Sequence, residues 1–264
     1  MTLRETRDAN VHPASLTARF IAGPHLSDSD KATQRLSDWL SDLATDQATE
    51  FEGLFARVPF ARQIFAGVAE ASPYLFELIR SDAARTLRVL QSEPDRHFTE
   101  LIEQTRHDVW GASNEAQAMQ VLRRAKAEAS LLIALSDIGG VWPVMRVTAA
   151  LTDLAVTSVQ SALHFLLRQE TTRGRMLPAN PDRPEEGSGL IVLAMGKMGA
   201  GELNYSSDID LIVFFDSGAP TLAPDIEPQP FFVRIAQGLS RMLQQRTGDG
   251  YVFRVDLRLR PDPA

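Results

Sequence analysis

The strongest constraint on the fold is a change in sequence character near residue 172. From about Asp28 to Glu170 the chain is rich in strong helix formers and lacks strand-like alternation of apolar and polar residues. The next segment, TRGRMLPANPDRPEEGSG, is rich in proline, glycine and charge, which is typical of a loop. Three apolar runs with strand character follow, at 190–195, 207–215 and 251–259. The order predicts an α+β fold in which a helical bundle precedes a small mixed sheet.

This organisation predicts four segments. They are a flexible N-terminus at 1–27, a helical domain at 28–171, a linker at 172–189 and a small α/β core at 190–264.

Two long helices are expected at the end of the helical domain. Asn114 and Gln117 have the spacing of an N-cap, and Gly139-Gly140 is a typical helix end. The second helix runs from Pro143 to about Gln169. Its core-facing residues, at helical spacing, are Val144, Val147, Leu151, Leu154, Ser158, Ala162 and Phe165.

Composition excludes several classes of protein. The 264 residues include 34 acidic and 27 basic side chains, a net charge of −7, which disfavours nucleic acid and anionic membranes as partners. Without cysteine there are no disulfides or thiolate metal sites. The first residues are polar, unlike a signal peptide, and apolar runs such as LIVLAM are too short to span a bilayer. A cytoplasmic protein is expected.

Two aspartates, Asp208 and Asp210, begin the apolar run SDIDLIVFF. In a strand they project from one face, about 6.6–7 Å apart, while the apolar residues Ile209, Leu211, Val213 and Phe215 face the other way. Such like charges repel beside a core, and divalent cations remove that repulsion. The alternative for an isolated pair of this kind is a solvated turn.

The final run, YVFRVDLRLR, contains a third acid, Asp256. Alternation places Tyr251, Phe253, Val255, Leu257 and Leu259 on one face, and Arg254, Asp256, Arg258 and Arg260 on the other. If this strand pairs with the Asp208 strand, three carboxylates meet beside arginines that suit phosphate oxygens. This set predicts a phosphoryl- or nucleotidyl-transfer site. Surface ion pairs are the alternative role for Arg258 and Arg260.

A glycine-rich turn, MGKMGAGELNYSS, joins the first two strands. Gly196 and its neighbouring glycines allow the backbone to approach a phosphate, and Lys197 either adds charge there or faces solvent. The turn is not a Walker A loop, because Met198 stands where Ser or Thr is required. Its glycine spacing is not the dinucleotide fingerprint either.

The motifs MGKMGAGELNYSSDIDLI and VDLRLRP resemble those of the glutamine synthetase adenylyltransferase/adenylyl-removing enzymes, within the DNA polymerase β-like nucleotidyltransferase superfamily. The two motifs cover about 25 residues. Such enzymes carry two nucleotidyltransferase domains: the N-terminal one phosphorolyses adenylyl-tyrosine on glutamine synthetase to ADP, and the C-terminal one adenylylates from ATP. The early motif and the form GELNYSSDID imply the deadenylylating half, with a core that is incomplete at its C-terminus.

The resemblance implies a role for each site residue. Asp208, Asp210 and Asp256 would hold Mg²⁺ or Mn²⁺, and Gly196, Lys197 and Ser207 would shape the nucleotide-phosphate pocket. ADP or ATP and inorganic phosphate would be the nucleotide substrates. Glutamine synthetase would be the protein substrate, and the PII nitrogen-signalling protein a candidate regulator.

Two other functions are compatible with these motifs. One is a nucleotidyltransferase of the same superfamily with a different acceptor, such as tRNA, a nucleotide or a small molecule, although the acidic composition disfavours RNA. The other is a non-catalytic regulatory or docking module, which the presence of all three acids disfavours.

Overall fold

The computed structural model describes residues 12–216, 218 and 221–258, without the side chain of Arg258. Within them lie ten α-helices, three strands and a 3₁₀ turn at Thr17–Arg19. The helices are α1 (Ser29–Asp42), α2 (Thr45–Arg57), α3 (Pro59–Ala71), α4 (Pro73–Ser81), α5 (Ala83–Gln91), α6 (Pro94–Gly111), α7 (Glu115–Ile138), α8 (Val144–Thr172), α9 (Gly196–Gly199) and α10 (Pro228–Gln244), and the strands are β1 (Leu190–Ala194), β2 (Ile209–Phe215) and β3 (Val255–Arg258). The predicted α+β class is confirmed.

The chain divides into two compact units that do not follow its order strictly. One contains the residues up to Phe98 together with Ser130–Val147, and the other contains Thr99–Ala129 together with the residues from Thr148 onward. Helices α6, α7 and α8 therefore contribute residues to both units. The four segments expected from the sequence remain a prediction, and the first eleven residues of the expected flexible N-terminus lie outside the described part.

An aromatic cluster forms the core of the first unit. Trp39 of α1 contacts Phe51 of α2 edge-on, with ring centroids 4.8 Å apart, and stacks on Phe65 of α3 at 6.0 Å. Proline stands at the first residue of α3, α4 and α6, where its missing N–H costs no helical hydrogen bond. This unit is therefore held together by ordinary apolar packing between short helices.

The predicted ends of α7 are confirmed. Asn114 Oδ1 accepts from the backbone N of Gln117 at 2.9 Å, and the Gln117 side chain accepts from the backbone N of Ser113 at 2.9 Å. At the other end Gly140 has a φ of 68°, the left-handed conformation that closes a helix.

Helix α8 differs from its prediction at the first turn. Val144, expected in the core, is 68% exposed, whereas the other six core-facing residues predicted for this helix are buried. Among the described helices, α8 alone is long and apolar enough to span a membrane by these two measures, but 72% of its apolar window is buried in the protein. That burial is typical of a core helix.

The three strands form one mixed sheet in the order β1-β2-β3. Strand β1 pairs antiparallel with β2, and β2 pairs parallel with β3. The parallel pair needs a crossover, and α10 lies in that connection. Ile209, Leu211 and Val213 are buried on one face of β2, as the alternation predicted. Phe232 of α10 stacks on Phe215 at 5.1 Å, so α10 covers that face.

One prediction about the last strand needs correction. Strand β3 begins at Val255, so the alternation expected from Tyr251 onward is wrong: Tyr251 is exposed and Val252 is buried. The backbone N groups of Val252 and Phe253 both donate to Leu243 O at the end of α10, which sets their orientation. In the segment predicted as a linker, Met176 is fully buried and bridges to Leu222.

A buried arginine holds the connection between α10 and β3. Arg123 of α7 is 1% exposed and donates to backbone oxygens rather than to a carboxylate. Its acceptors are the carbonyls of Met119, Met242, Gln245 and Gly250. Desolvation lowers the pKa of Arg123, and the charge of Asp249 opposes that shift. This side chain therefore fastens the segment that leads to Asp256.

Candidate active site

Two of the predicted acids are brought together by the register of the parallel strands. Asp210 of β2 and Asp256 of β3 are paired residues. Paired residues project from the same face, with backbones about 4.8 Å apart. Asp210 is half-buried and Asp256 is exposed, so this face is open to solvent. The prediction that the last strand pairs with the aspartate strand is confirmed.

Asp208 lies just before β2, and its carboxylate has a cationic partner. The backbone N of Ile209 donates to Arg254 O at 3.0 Å, which fastens this segment beside the start of β3. Arg254 Nη2 lies 2.5 Å from Asp208 Oδ1 and also donates to Ser206 O at 3.1 Å. Asp208 Oδ1 is therefore held by a single nitrogen of the Arg254 guanidinium, while Asp210 and Asp256 are paired across β2 and β3.

The glycine turn leaves space next to Asp210. Gly196 has a φ of 54°, and a Cβ at this position would lie 2.7 Å from Asp210 Oδ2. At Gly199 a Cβ would lie 2.4 Å from Ala194 O, so the turn packs backbone directly on backbone. Both positions require glycine, and Gly196 in particular keeps one side of the Asp210 carboxylate clear.

The two polar residues predicted to shape a phosphate pocket differ in their surroundings. Lys197 is exposed in α9. Ser207 donates its hydroxyl to Asn204 Oδ1 at 2.6 Å, so it is part of a local turn. Asn204 Oδ1 also accepts from the backbone N of Ser206 at 3.3 Å. The sequence did not assign Asn204 to the site, although asparagine and serine are typical turn residues.

The two arginines predicted to contact phosphate cannot be compared with the structure in full. Arg258 is the last residue of β3, but its side chain lies outside the described residues, and so does the whole of Arg260. Within the described part of the chain, Arg254 is a basic residue that contacts one of the acids, Asp208. The alternation assigned it to this face, but nothing in the sequence paired it with Asp208.

An apolar strip continues the acidic face across the sheet. Ile191 pairs with Phe214 and Leu193 with Ile212, and both β1 residues are about half exposed. Met195, whose backbone N donates to Asp210 O at 2.9 Å, is also exposed. One face of the sheet therefore carries acids at one side and apolar side chains at the other.

A lysine contacts the segment just before the strand that carries the third acid. Lys126 Nζ is 4.1 Å from the centroid of the Phe253 ring, a cation–π contact. Burial lowers the pKa of Lys126 to about 8. Burial thus disfavours the charged form of this lysine beside the segment that leads into β3.

The donor chemistry of the acidic face fits a hard divalent cation. Carboxylate oxygens are the ligands that Mg²⁺ prefers, and the register supplies two of them beside the gap at Gly196. Across the described residues, no three His, Asp or Glu side chains are gathered closely enough to form a ready metal-ligand cluster. Asp208 would complete the set by leaving Arg254.

Comparison with known proteins gives a consistent result. The family model described as glutamate-ammonia ligase adenylyltransferase matches residues 62–264. A bifunctional glutamine synthetase adenylyltransferase/adenylyl-removing enzyme of Rhodopseudomonas palustris (strain HaA2) is 66% identical over 97% of this chain and 26% of its own length. The proteins of the same description from Bradyrhizobium diazoefficiens and Xanthobacter autotrophicus are 62% and 47% identical, over 97% and 94% of this chain and 26% and 25% of their own lengths.

The chain spans about a quarter of the length of the curated relatives that it matches. The family model covers more than half of the chain, and the match includes the glycine turn, both aspartates of the β2 segment and Asp256. The motifs identified in the sequence lie inside that match. The chain belongs to the glutamate-ammonia ligase adenylyltransferase family.

Proposed function

We propose that this chain carries the metal-dependent nucleotidyl-transfer site of an adenylyl-removing enzyme. In the reaction, adenylyl-tyrosine on glutamine synthetase is phosphorolysed to ADP, a step in the control of nitrogen assimilation. The single observation that carries the proposal is the register of β2 and β3, which sets Asp210 beside Asp256 on a solvent-open face. The names of the relatives support glutamine synthetase as the protein substrate.

The acids would hold one or two Mg²⁺ or Mn²⁺ ions. When bound, the metal neutralises phosphate charge and orients the oxygens of the transferring group. Asp210 and Asp256 would supply oxygens directly, because both already project from the same face. Gly196 would leave space at Asp210 Oδ2 for a ligand or phosphate oxygen, since a side chain there would fill it.

The bond changes are simple and need no protein base. An oxygen of inorganic phosphate attacks the adenylyl phosphorus, the bond between that phosphorus and the tyrosine oxygen breaks, and the new phosphoanhydride is that of ADP. Hydrogen phosphate supplies the proton that the tyrosine oxygen takes up. Phosphate is already an anion at neutral pH, so positioning and charge neutralisation supply most of the catalysis.

The exposed residues of the glycine turn would contribute to phosphate binding. Lys197 is exposed at the start of α9, next to the gap at Gly196, and its ammonium group suits phosphate as a point charge. Ser207 shapes the turn before Asp208 through Asn204. The apolar strip of β1 lies beside the acids and offers a surface for the nucleoside or the tyrosine ring.

The test is ADP release from adenylylated glutamine synthetase in the presence of phosphate and Mg²⁺. It uses the 264-residue chain and a chimera in which the chain replaces the matching quarter of the Rhodopseudomonas palustris relative. The double variant Asp208→Asn, Asp210→Asn should remain folded and lose ADP release by at least about 100-fold, the scale of one essential electrostatic group.

A matched control lies on the same polypeptide segment. Asp216 follows β2 at its other end, is exposed, and accepts from the backbone N of Gly218 at 2.8 Å. Asp216→Asn changes one charge without touching the proposed site, so its ADP release should match that of the unmodified protein. Full activity of the double variant in the chimera would show that the assignment of the site is wrong.

A further inference from the structure

The ion pair between Arg254 and Asp208 joins the two strands that carry the proposed site. Arg254 immediately precedes β3, and its Nη2 atom lies 2.5 Å from Asp208 Oδ1 and 3.1 Å from Ser206 O. Both acceptors belong to the segment before β2. The guanidinium therefore contacts both a predicted metal-binding acid and the backbone of the turn that precedes it.

The charges around Arg254 explain why it lies there. Asp208, Asp210 and Asp256 place three carboxylates near one edge of the sheet, and Arg254 brings a positive charge to one of them. Like-charged carboxylates on neighbouring segments repel, and a nearby cation offsets that repulsion. A guanidinium and a divalent ion both require the oxygen lone pairs of Asp208, so they compete for this residue.

Arg254 is also able to leave Asp208 without disturbing the core. Its side chain is 61% exposed and that of Asp208 is 49% exposed. An ion pair this exposed is weak and screened by water. This differs from the buried Arg123, whose guanidinium donates four hydrogen bonds to backbone carbonyls.

We propose that Arg254 is a positioning residue that takes the place of a cation on Asp208 in the metal-free site and is displaced when a divalent ion binds. The proposal rests on the proposed function, because it requires the acids to be metal ligands. The proposal predicts the direction in which metal affinity changes when Arg254 is replaced. Removal of a residue from the site should tighten metal binding, whereas loss of an ordinary structural contact weakens it.

The experiment is a titration of the 264-residue chain with Mn²⁺, with free Mn²⁺ followed by electron paramagnetic resonance. Arg254→Gln should lower the Kd for Mn²⁺ by about twofold to fivefold, the worth of an exposed ion pair. Arg254→Lys, which retains the charge, should lie close to the unmodified chain. Circular dichroism melting of each variant establishes that it is folded.

Two controls separate displacement of Arg254 from a general effect of charge. Arg234 is exposed on α10, and Arg234→Gln removes the same charge elsewhere and should leave the Kd unchanged. In an Asp208→Asn background, Arg254→Gln should give little or no gain, because the competition no longer exists. An equal gain in both backgrounds would overturn the proposal.

The outcomes distinguish this proposal from the proposed function. If Asp208→Asn and Asp210→Asn both weaken Mn²⁺ binding while Arg254→Gln leaves it unchanged or weaker, the metal site stands and the role of Arg254 is wrong. If neither aspartate variant changes Mn²⁺ binding, the metal site itself is wrong, whatever the result with Arg254→Gln.

Discussion

The two faces of the three-stranded sheet differ in almost every physical respect. On one face Ile209, Leu211 and Val213 are nearly inaccessible, and α10 packs against the strands. On the other face, alternate residues of the same strand are polar or partly exposed, with Asp210 beside Asp256. Because successive side chains of a strand point to opposite faces, β2 packs into the core with one face and presents the residues of the proposed site on the other.

That difference shows how a pair of acids can be tolerated next to a core. Burial on one face supplies stability through area removed from water. The open face keeps its carboxylates hydrated and near Arg254, so their repulsion costs little stability. Substitutions on the buried face should therefore change the free energy of unfolding, and substitutions on the open face should change ligand binding.

The largest effect on stability is expected from the buried arginine that holds the α10–β3 connection. Arg123→Met should lower the free energy of unfolding by about 3–5 kcal/mol, because it leaves several buried carbonyls without their donor. Urea unfolding measures it. The adjacent Arg124 is exposed, and Arg124→Met should change stability by less than about 0.5 kcal/mol. Equal stabilities of the Arg123→Met and Arg124→Met variants would show that Arg123 does not hold the α10–β3 connection.

The next largest effect on stability is expected from a leucine on the buried face of β2. Leu211 is 1% exposed, and Leu211→Ala should cost about 2–4 kcal/mol through lost burial and the resulting cavity. Ile212→Ala, at the next position and on the open face, should cost less than half of this. Urea unfolding of the two variants compares the faces directly, and similar losses would contradict the separation described above.

A smaller effect on stability, but a clear one on binding, is expected at the glycine turn. Gly196→Ala places a residue at φ 54° with its Cβ 2.7 Å from Asp210 Oδ2, so it should cost about 1–2 kcal/mol and weaken Mn²⁺ binding. Gly201 also has positive φ, but a Cβ there meets nothing within 4 Å. Gly201→Ala should lower stability through its backbone conformation and leave Mn²⁺ affinity unchanged. Loss of Mn²⁺ affinity in both variants would show that the space at Gly196 has no specific role in metal binding.

The last prediction concerns a slope, the pH dependence of stability that Lys126 contributes. Its pKa is lowered by burial from 10.5 to about 8 in the folded chain. Between these values the unfolded chain binds more protons, so the contribution of Lys126 makes stability rise with pH, by at most about 1.4 kcal/mol per unit. Lys126→Met should remove this rise when urea unfolding is compared between pH 8 and 10.5. An unchanged slope would mean that the lysine titrates normally.

Much of the fold could be predicted because local patterns agree with it. The change in character near residue 172, the N-cap at Asn114 and the alternation through Ile209 and Leu211 each depend on neighbouring residues only. The strand character of the last apolar run was also predicted, whereas its pairing with β2 entered only as a condition, which the structure meets. These features needed no knowledge of distant contacts.

The remaining features depend on tertiary contacts that the hydrophobic periodicity of the sequence does not encode. Tyr251 was assigned to the apolar face but is exposed, because hydrogen bonds from Val252 and Phe253 to Leu243 orient the segment before β3 begins. Arg123 has the sequence context of a surface helix position, and only the fold buries it among carbonyls. The pairing of Arg254 with Asp208 depends on strand register, so alternation placed the arginine on the right face without its partner.

The most direct test of the central claim is a crystal structure of the chain grown with Mn²⁺, with anomalous scattering recorded to locate the ion. The account predicts a peak about 2.1 Å from carboxylate oxygens of both Asp210 and Asp256, with the Arg254 guanidinium no longer on Asp208. A saturating Mn²⁺ concentration with no peak at this pair, or with the ion bound only by other residues, would contradict it.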